Sequence, residues 1–178
     1  TATLATTATN VTVADESSDT TCFVLFTTAP TGNLPPKSGG NLTFDSNTGM
    51  LGATSLTVSS SSANEPVIHI TNTHAGTSSG ELRFNKNSVS GDDDDVMGLI
   101  SFYGTDSSEN THERLAYIES TIIDAVHGSE ASSLRFYVAE NDATLTAGLT
   151  IEGQPDDNGE VDVTIGAGAV STTTIAGT

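Results

Sequence analysis

GELRFNK (80–86), GLISFYG (98–104) and SSLRFYV (132–138) decide how this chain is read. Each carries two large apolar residues at spacing two: Leu82 and Phe84, Ile100 and Phe102, Leu134 and Phe136. In an extended chain alternate side chains share a face, so each pair points one way and its polar neighbours the other. That is the pattern of half-buried strands rather than helices. These six residues are the expected core, either of a module or of an interface between three chains. Between the second and third pairs runs RLAYIESTIIDAVHG (114–128). Leu115, Ile118 and Ile122 sit at helical spacing, whereas Ala116, Ile118 and Ile122 also fit strand alternation, and Thr121, Ile122 and Ile123 are β-branched. No N-cap with a capping-box partner opens the run, which favours the strand and leaves a helix as the alternative. LTAGLTIEG (145–153) is a further strand. Residues 63–155 are therefore expected to form a β-sandwich-like central module.

Outward from this block the chain is lighter. EPVIHITNT (65–73) reads as a strand, with Val67 and His69 on one face and Ile68 and Ile70 on the other. Leu56 and Val58 mark another strand before a serine run that reads as a solvated link. NLTFDSNTGML (41–51) is a hairpin candidate turning at Asp45 to Gly49. APTGNLPPKSGG (29–40) is a linker whose prolines and glycines forbid a regular element. CFVLF (22–26) is apolar throughout, so both of its faces are expected to be covered. Val11 and Val13 hint at one more strand. On the far side, Val161, Val163 and Ile165 share a face and Thr-rich, Gly-punctuated sequence follows. Residues 1–62 and 156–178 are expected to be shaft-like, the latter opening a further shaft repeat. Such short strands do not hold a monomer together in water, but three wrapped copies can bury one another's apolar faces.

Composition supports that expectation. Hydrophobic residues make up 35% of the 178 residues, aromatics 5%, and Trp is absent. This is thin for a single core and suits an all-β, elongated, intertwined homotrimer with short antiparallel strands. The formal net charge is −18, from 23 acidic residues against 5 Lys and Arg. Nucleic-acid binding needs phosphate-neutralising cations, and anionic membrane surfaces attract basic segments, so both partners are excluded. No apolar run reaches a membrane-spanning length. Cys22 stands alone, so no intrachain disulfide forms, and its apolar surroundings read as those of a buried, inert thiol. A first residue other than Met and an ending inside a Thr-rich pattern suggest a piece of a longer polypeptide.

Few residues carry chemistry. Asp92, Asp93, Asp94 and Asp95 are the densest charge cluster and the one candidate for a hard cation such as Ca²⁺; without EF-hand spacing, the plainer reading is a solvated loop that deters aggregation. His69, His74, His112 and His127 form no metal-ligand spacing. Glu119 and Asp124 suit acid–base work only if a pocket gathers them. No nucleophile elbow, phosphate loop or dinucleotide fingerprint is present, so no catalytic residue is assigned. Asn10–Thr12 and Asn41–Thr43 are sequons that matter only on a secretory route. Tyr103, Tyr117 and Tyr137 are candidates for a sugar-stacking patch, against the plainer reading of strand-face residues in a core or trimer interface.

The segment ESSDTTCFVLFTTAPTGNLPPKSGGNLTFDSNTGMLGATSLTV (16–58) resembles one that recurs in bacteriophage tail fibres and related virion appendages, especially those of marine phages. LRFNK, MGLISFYG, AYIESTIID, SSLRFYV and LTAGLTIEG resemble a tail-fibre module, and VTIGAGAVSTTTIAGT is similar to the start of further shaft repeats. The resemblance implies a non-enzymatic, trimeric, β-rich fibre located on the virion and therefore extracellular. It also implies other tail proteins as partners, and a host surface glycan or protein at the distal parts. No receptor-binding residue transfers through it. The expected function is a structural segment supporting attachment to the host. A carbohydrate-binding adhesin module is the alternative, and a tailspike-type glycan depolymerase ranks behind both.

Overall fold

The computed structural model describes residues 18, 22–28, 36–109, 111–156 and 158–175. The Val11/Val13 strand, the Asn10–Thr12 sequon and much of the 29–40 linker lie outside them. The described residues contain strands and no helix. The chain divides into two units, Thr1–His69 and Ile70–Thr178.

In the first unit the expected hairpin is observed. Strand β2 (Leu42–Asp45) pairs antiparallel with β3 (Met50–Ala53), and the two-residue β1 (Cys22–Phe23) runs along the other side of β2. Asp45 makes the turn: its Oδ1 accepts the Asn47 and Thr48 amides at 2.9 and 3.1 Å, and Gly49 supplies the left-handed φ of +74° that closes it. The expectation that CFVLF is covered on both faces does not hold, because Val24, Leu25 and Phe26 are exposed. Only two residues of the run join the ladder, and Phe26 makes a single bridge to Lys37. Two-residue pairing leaves the rest of the run without a strand to cover it.

The second unit is built on one five-stranded antiparallel sheet in chain order: β4 (Val96–Thr105), β5 (His112–Asp124), β6 (Ala131–Ala139), β7 (Leu145–Gly153) and β8 (Val161–Ile165). The ambiguous run is therefore strand, as its β-branched content favours. Each turn of the meander from β4 to β7 is tied by a carboxylate. Asp106 binds the β4–β5 loop, Asp124 and Glu130 the β5–β6 loop, and Asp142 the β6–β7 loop. These four carboxylates thus serve the turns, where Asx-type bonds replace ladder bonds.

Cross-strand register sorts the side chains into two faces. Gly98–Ser120–Leu134–Ile151–Val163, Ile100–Ile118–Phe136–Leu149–Ile165 and Phe102–Ala116–Val138–Thr146 are successive rows of one face, and none of these residues is charged. The opposite face carries Leu99–Glu119–Arg135–Thr150–Thr164, Ser101–Tyr117–Tyr137–Ala147 and Thr121–Ser133–Glu152–Asp162. The expected sandwich is not what forms: the described residues of this unit make one sheet and no second layer. Among the described residues the one apolar side chain that is buried is Ala131, at 9% exposure.

Two further expectations are corrected. GELRFNK does not form a strand, and neither do the stretches around Leu56–Val58 and Val67–Ile70; residues 54–88 carry no ladder. Leu82 is 66% exposed and Phe84 49%. Phe84 nevertheless lies against the sheet, since a Cβ on Gly98 would stand 2.7 Å from the Phe84 Cβ. Two-residue spacing signals strand propensity, but no neighbouring strand pairs with these stretches. The boundary placed at 155/156 falls inside the β7–β8 connection. Val161–Ile165 belongs to the sheet rather than to a separate shaft repeat, because it pairs with β7 from Gly153↔Val161 to Leu149↔Ile165.

Candidate functional site

The polar face gathers the chemistry-bearing side chains. Tyr117 and Tyr137 are directly opposed on β5 and β6, and their rings stack 4.1 Å apart with 7° between planes. The guanidinium of Arg114 sits 4.3 Å from the Tyr117 ring centroid on a cation–π contact. Simple alternation from Ala116 would place Arg114 on the apolar face. A register shift between Phe102 and Tyr103 accommodates Leu115 as an extra residue, and Arg114 comes opposite Tyr103 instead. Arg135, two residues before Tyr137, lies 3.6 Å from Glu152 on β7.

Electrostatics follow from this crowding. Burial, then the neighbouring Tyr137, pushes the Tyr117 phenol above its ordinary value. The Tyr137 hydroxyl, as hydrogen-bond partner, holds Arg135 more firmly protonated still, with Glu152 adding to it. The ring faces of Tyr117 are occupied by Tyr137 and Arg114. The residue opposite Tyr137 on β7 is Ala147, which ends at a methyl and leaves that side of the ring without a tall neighbour from β7. Of the three candidate tyrosines, two therefore come together. Tyr103 stands apart, 57% exposed, with the His112 ring 5.2 Å away.

The remaining candidates are dispersed and locally employed. Asp93 accepts the Ala125 amide at 2.9 Å, Asp95 is ion-paired to Lys86, and the Asp94 amide bonds to the Ile122 carbonyl at 2.9 Å. Lys86, as hydrogen-bond partner, draws the Asp95 carboxyl below its usual value. The acidic loop is thus fastened to the end of β5. Among the described residues no three of His, Cys, Asp and Glu are arranged to hold a metal ion. Glu119 accepts from Thr121, while Asp124 takes the Val126 amide at 2.7 Å and the Ser129 hydroxyl at 3.0 Å; they serve different local bonds. His74 and His127 belong to turns, through Gly76 and Glu130 respectively, and His69 is exposed. Cys22 is half-buried with Sγ 3.8 Å from the Ser46 hydroxyl.

The six expected core residues divide. Ile100, Phe102, Leu134 and Phe136 share the apolar face of the sheet, Phe84 reaches it from outside at Gly98, and Leu82 is exposed. An open groove of about 870 Å³ lies at one end, between the β5–β6 and β7–β8 connections, with Glu130, Ser132, Gln154 and Glu160 in its lining. Sequence reasoning does not find Arg114, Arg135 or Ser133. Ser133 is 2% exposed and its hydroxyl has no hydrogen-bond partner among the described residues. Arg135 has a signal in its place between Leu134 and Phe136, which puts it on the polar face beside Tyr137. Arg114 has none, because a bulge is not written in the alternation. Compared with known proteins, the chain matches no family model, no curated protein and no solved structure.

Proposed function

We propose that this chain is a structural, non-enzymatic segment of a bacteriophage tail fibre or related virion appendage, working as a homotrimer joined to other tail proteins and supporting attachment to the host surface. One observation carries the reading. Residues 54–88 bear Leu56, Val58, Val67, Ile68, Ile70, Leu82 and Phe84 exposed, in strand-like alternating sequence, yet make no ladder within their own chain. Backbone N–H and C=O groups gain from pairing once buried, and apolar side chains gain from leaving water. Wrapping three copies would satisfy both at once, as in fibre shafts. Light scattering on a size-exclusion column tests it. A mass near three times 18.2 kDa, with elution ahead of a globular standard of that mass and rods in electron micrographs, is expected. A folded monomer at micromolar concentration would refute the reading.

The polar face favours a second reading, a carbohydrate-binding adhesin module. The Tyr137 ring offers a stacking surface above Ala147, and the Arg135–Glu152 pair offers a donor and an acceptor for sugar hydroxyls. Glycan-array binding lost on Tyr137→Ala would support it, with Tyr103→Ala as the comparison. No binding across a broad array would remove it.

A further inference from the structure

We infer that the apolar face of the five-stranded sheet is the surface on which copies of this chain meet, and that they meet against a standing repulsion, so that added salt strengthens the assembly. The inference rests on the oligomeric reading above and names its interface. The face cannot remain as the single chain leaves it. Phe102, Val138, Val163 and Ile165 are each more than half exposed on this one surface, and exposed apolar surface of this extent marks an interaction site. Five strands at about 4.8 Å spacing and nine residues at about 3.3 Å rise give a face of roughly 24 by 30 Å. That is on the order of 700 Å², close to the roughly 800 Å² that each partner contributes to a stable interface.

Charge identifies the occupant. The chain carries a formal net charge of −18, and a basic partner would be met by acids on the docking face. The three central rows of this face have none, and its acid, Glu113 opposite Gly104, stands at one end, while the opposite face holds Glu119, Glu152 and Asp162. Identical copies repel each other wherever their acids come close, and an apolar surface whose acid is confined to one end is where they can approach. Sheets also pack face to face on sheets at about 10 Å, so the other copies supply the complementary shape without a pocket or a groove. Screening shortens the range of the repulsion from about 10 Å at 0.1 M salt to about 3 Å at 1 M. An interface without ion pairs loses nothing in exchange.

The test uses the full chain in sedimentation equilibrium at 0.05 and 0.5 M NaCl. The dissociation constant is expected to tighten at least tenfold at the higher salt. Two substitutions on neighbouring residues of the edge strand β8 then separate the faces. Val163→Asp, on the apolar face and 59% exposed in the single chain, is expected to give an 18.2 kDa species that keeps its β circular dichroism. Thr164→Asp, on the polar face, is expected to stay assembled. A wild-type assembly that weakens with salt overturns the inference whether or not either variant folds, and leaves the fibre reading standing. So does assembly that survives Val163→Asp. A monomeric wild type at both salts overturns the inference and the fibre reading together.

Discussion

Residues 54–88 and the sheet from Val96 to Ile165 use the same vocabulary of alternating apolar and polar residues, but only the second forms ladders. The difference lies in the connections. In the sheet, Asp106, Asp124, Glu130 and Asp142 each tie a short loop to its own backbone and return the next strand in register. In 54–88 the connections are a serine run and the THAGTSS stretch. The latter is a turn: Asn72 bonds to the Ser78 carbonyl at 3.2 Å, and Ile70 comes against Gly80. Its arms still do not ladder. Strand propensity makes a segment extended, but a register-fixing turn or a second chain makes it a sheet.

Hydrogen exchange should show this contrast at its largest. In the Val163→Asp variant, where the chain is expected to stand alone, amides of β5 and β6 bond to strands on both sides. They should exchange at least about a hundredfold more slowly than those of residues 67–70. In the wild-type assembly, slowing confined to 67–70 and 82–84 is expected if other copies pair with them. Slow exchange at 67–70 in the monomeric variant would mean that the segment ladders within its own chain, and the contrast would collapse.

A smaller effect is expected where the segment touches the sheet. A Cβ on Gly98 would stand 2.7 Å from the Phe84 Cβ and 2.9 Å from its Cγ. Gly98→Ala must therefore push Phe84 off the sheet, at a cost of about 1–3 kcal/mol in urea unfolding. Repeated in a Phe84→Gly background, the same change should cost less than about 0.5 kcal/mol, because the obstruction has gone. Equal costs in the two backgrounds would show that Phe84 does not rest on Gly98, leaving the segment unattached to the sheet at that point.

What the sequence makes legible follows the same line. Ile100/Phe102 and Leu134/Phe136 are readable as strands, and so is Val161/Val163/Ile165, because period-two alternation survives wherever a face is apolar. Leu82/Phe84 carries the identical signal and forms no strand, since alternation reports extension and not partnership. Neither can alternation say whether a second layer covers the apolar face, which is why it suggests a sandwich where a single sheet is found. The polar face is half legible. Tyr117 and Tyr137 stand out as aromatic candidates, but their stacking depends on the register set by the Asp124–Glu130 turn between them, which no local pattern encodes. Arg114 arrives there through a bulge, and bulges shift parity without announcing it in residue type.

The smallest effect tests whether the turns do hold the sheet in register. Asp106 accepts the amides of Ser108, Glu109 and Thr111 at 2.8, 2.6 and 2.7 Å. Those three amides, Glu109 first, lower its carboxyl from an ordinary 3.8 to about 2. A carboxyl whose folded value lies below its unfolded one stabilises the fold fully above the unfolded value, and that contribution is lost as pH falls through the folded one. The β4–β5 loop should therefore hold at pH 5 and loosen progressively between about pH 4 and pH 2. Amide chemical shifts of Ser108, Glu109 and Thr111 would follow a midpoint near 2. Asp106→Asn keeps one acceptor oxygen but cannot titrate, so its loop amides should show no such step, and the wild-type excess in stability at about pH 5 should shrink as pH falls through about 2 and vanish below it. Asp45 is lowered as well, chiefly by Thr48, and acts in the other unit, so Asp45→Asn serves as the control that leaves the β4–β5 step in place. A step that persisted in Asp106→Asn would assign the pH response to another carboxylate, and register-holding by capped turns would then have to rest on the β5–β6 and β6–β7 loops alone.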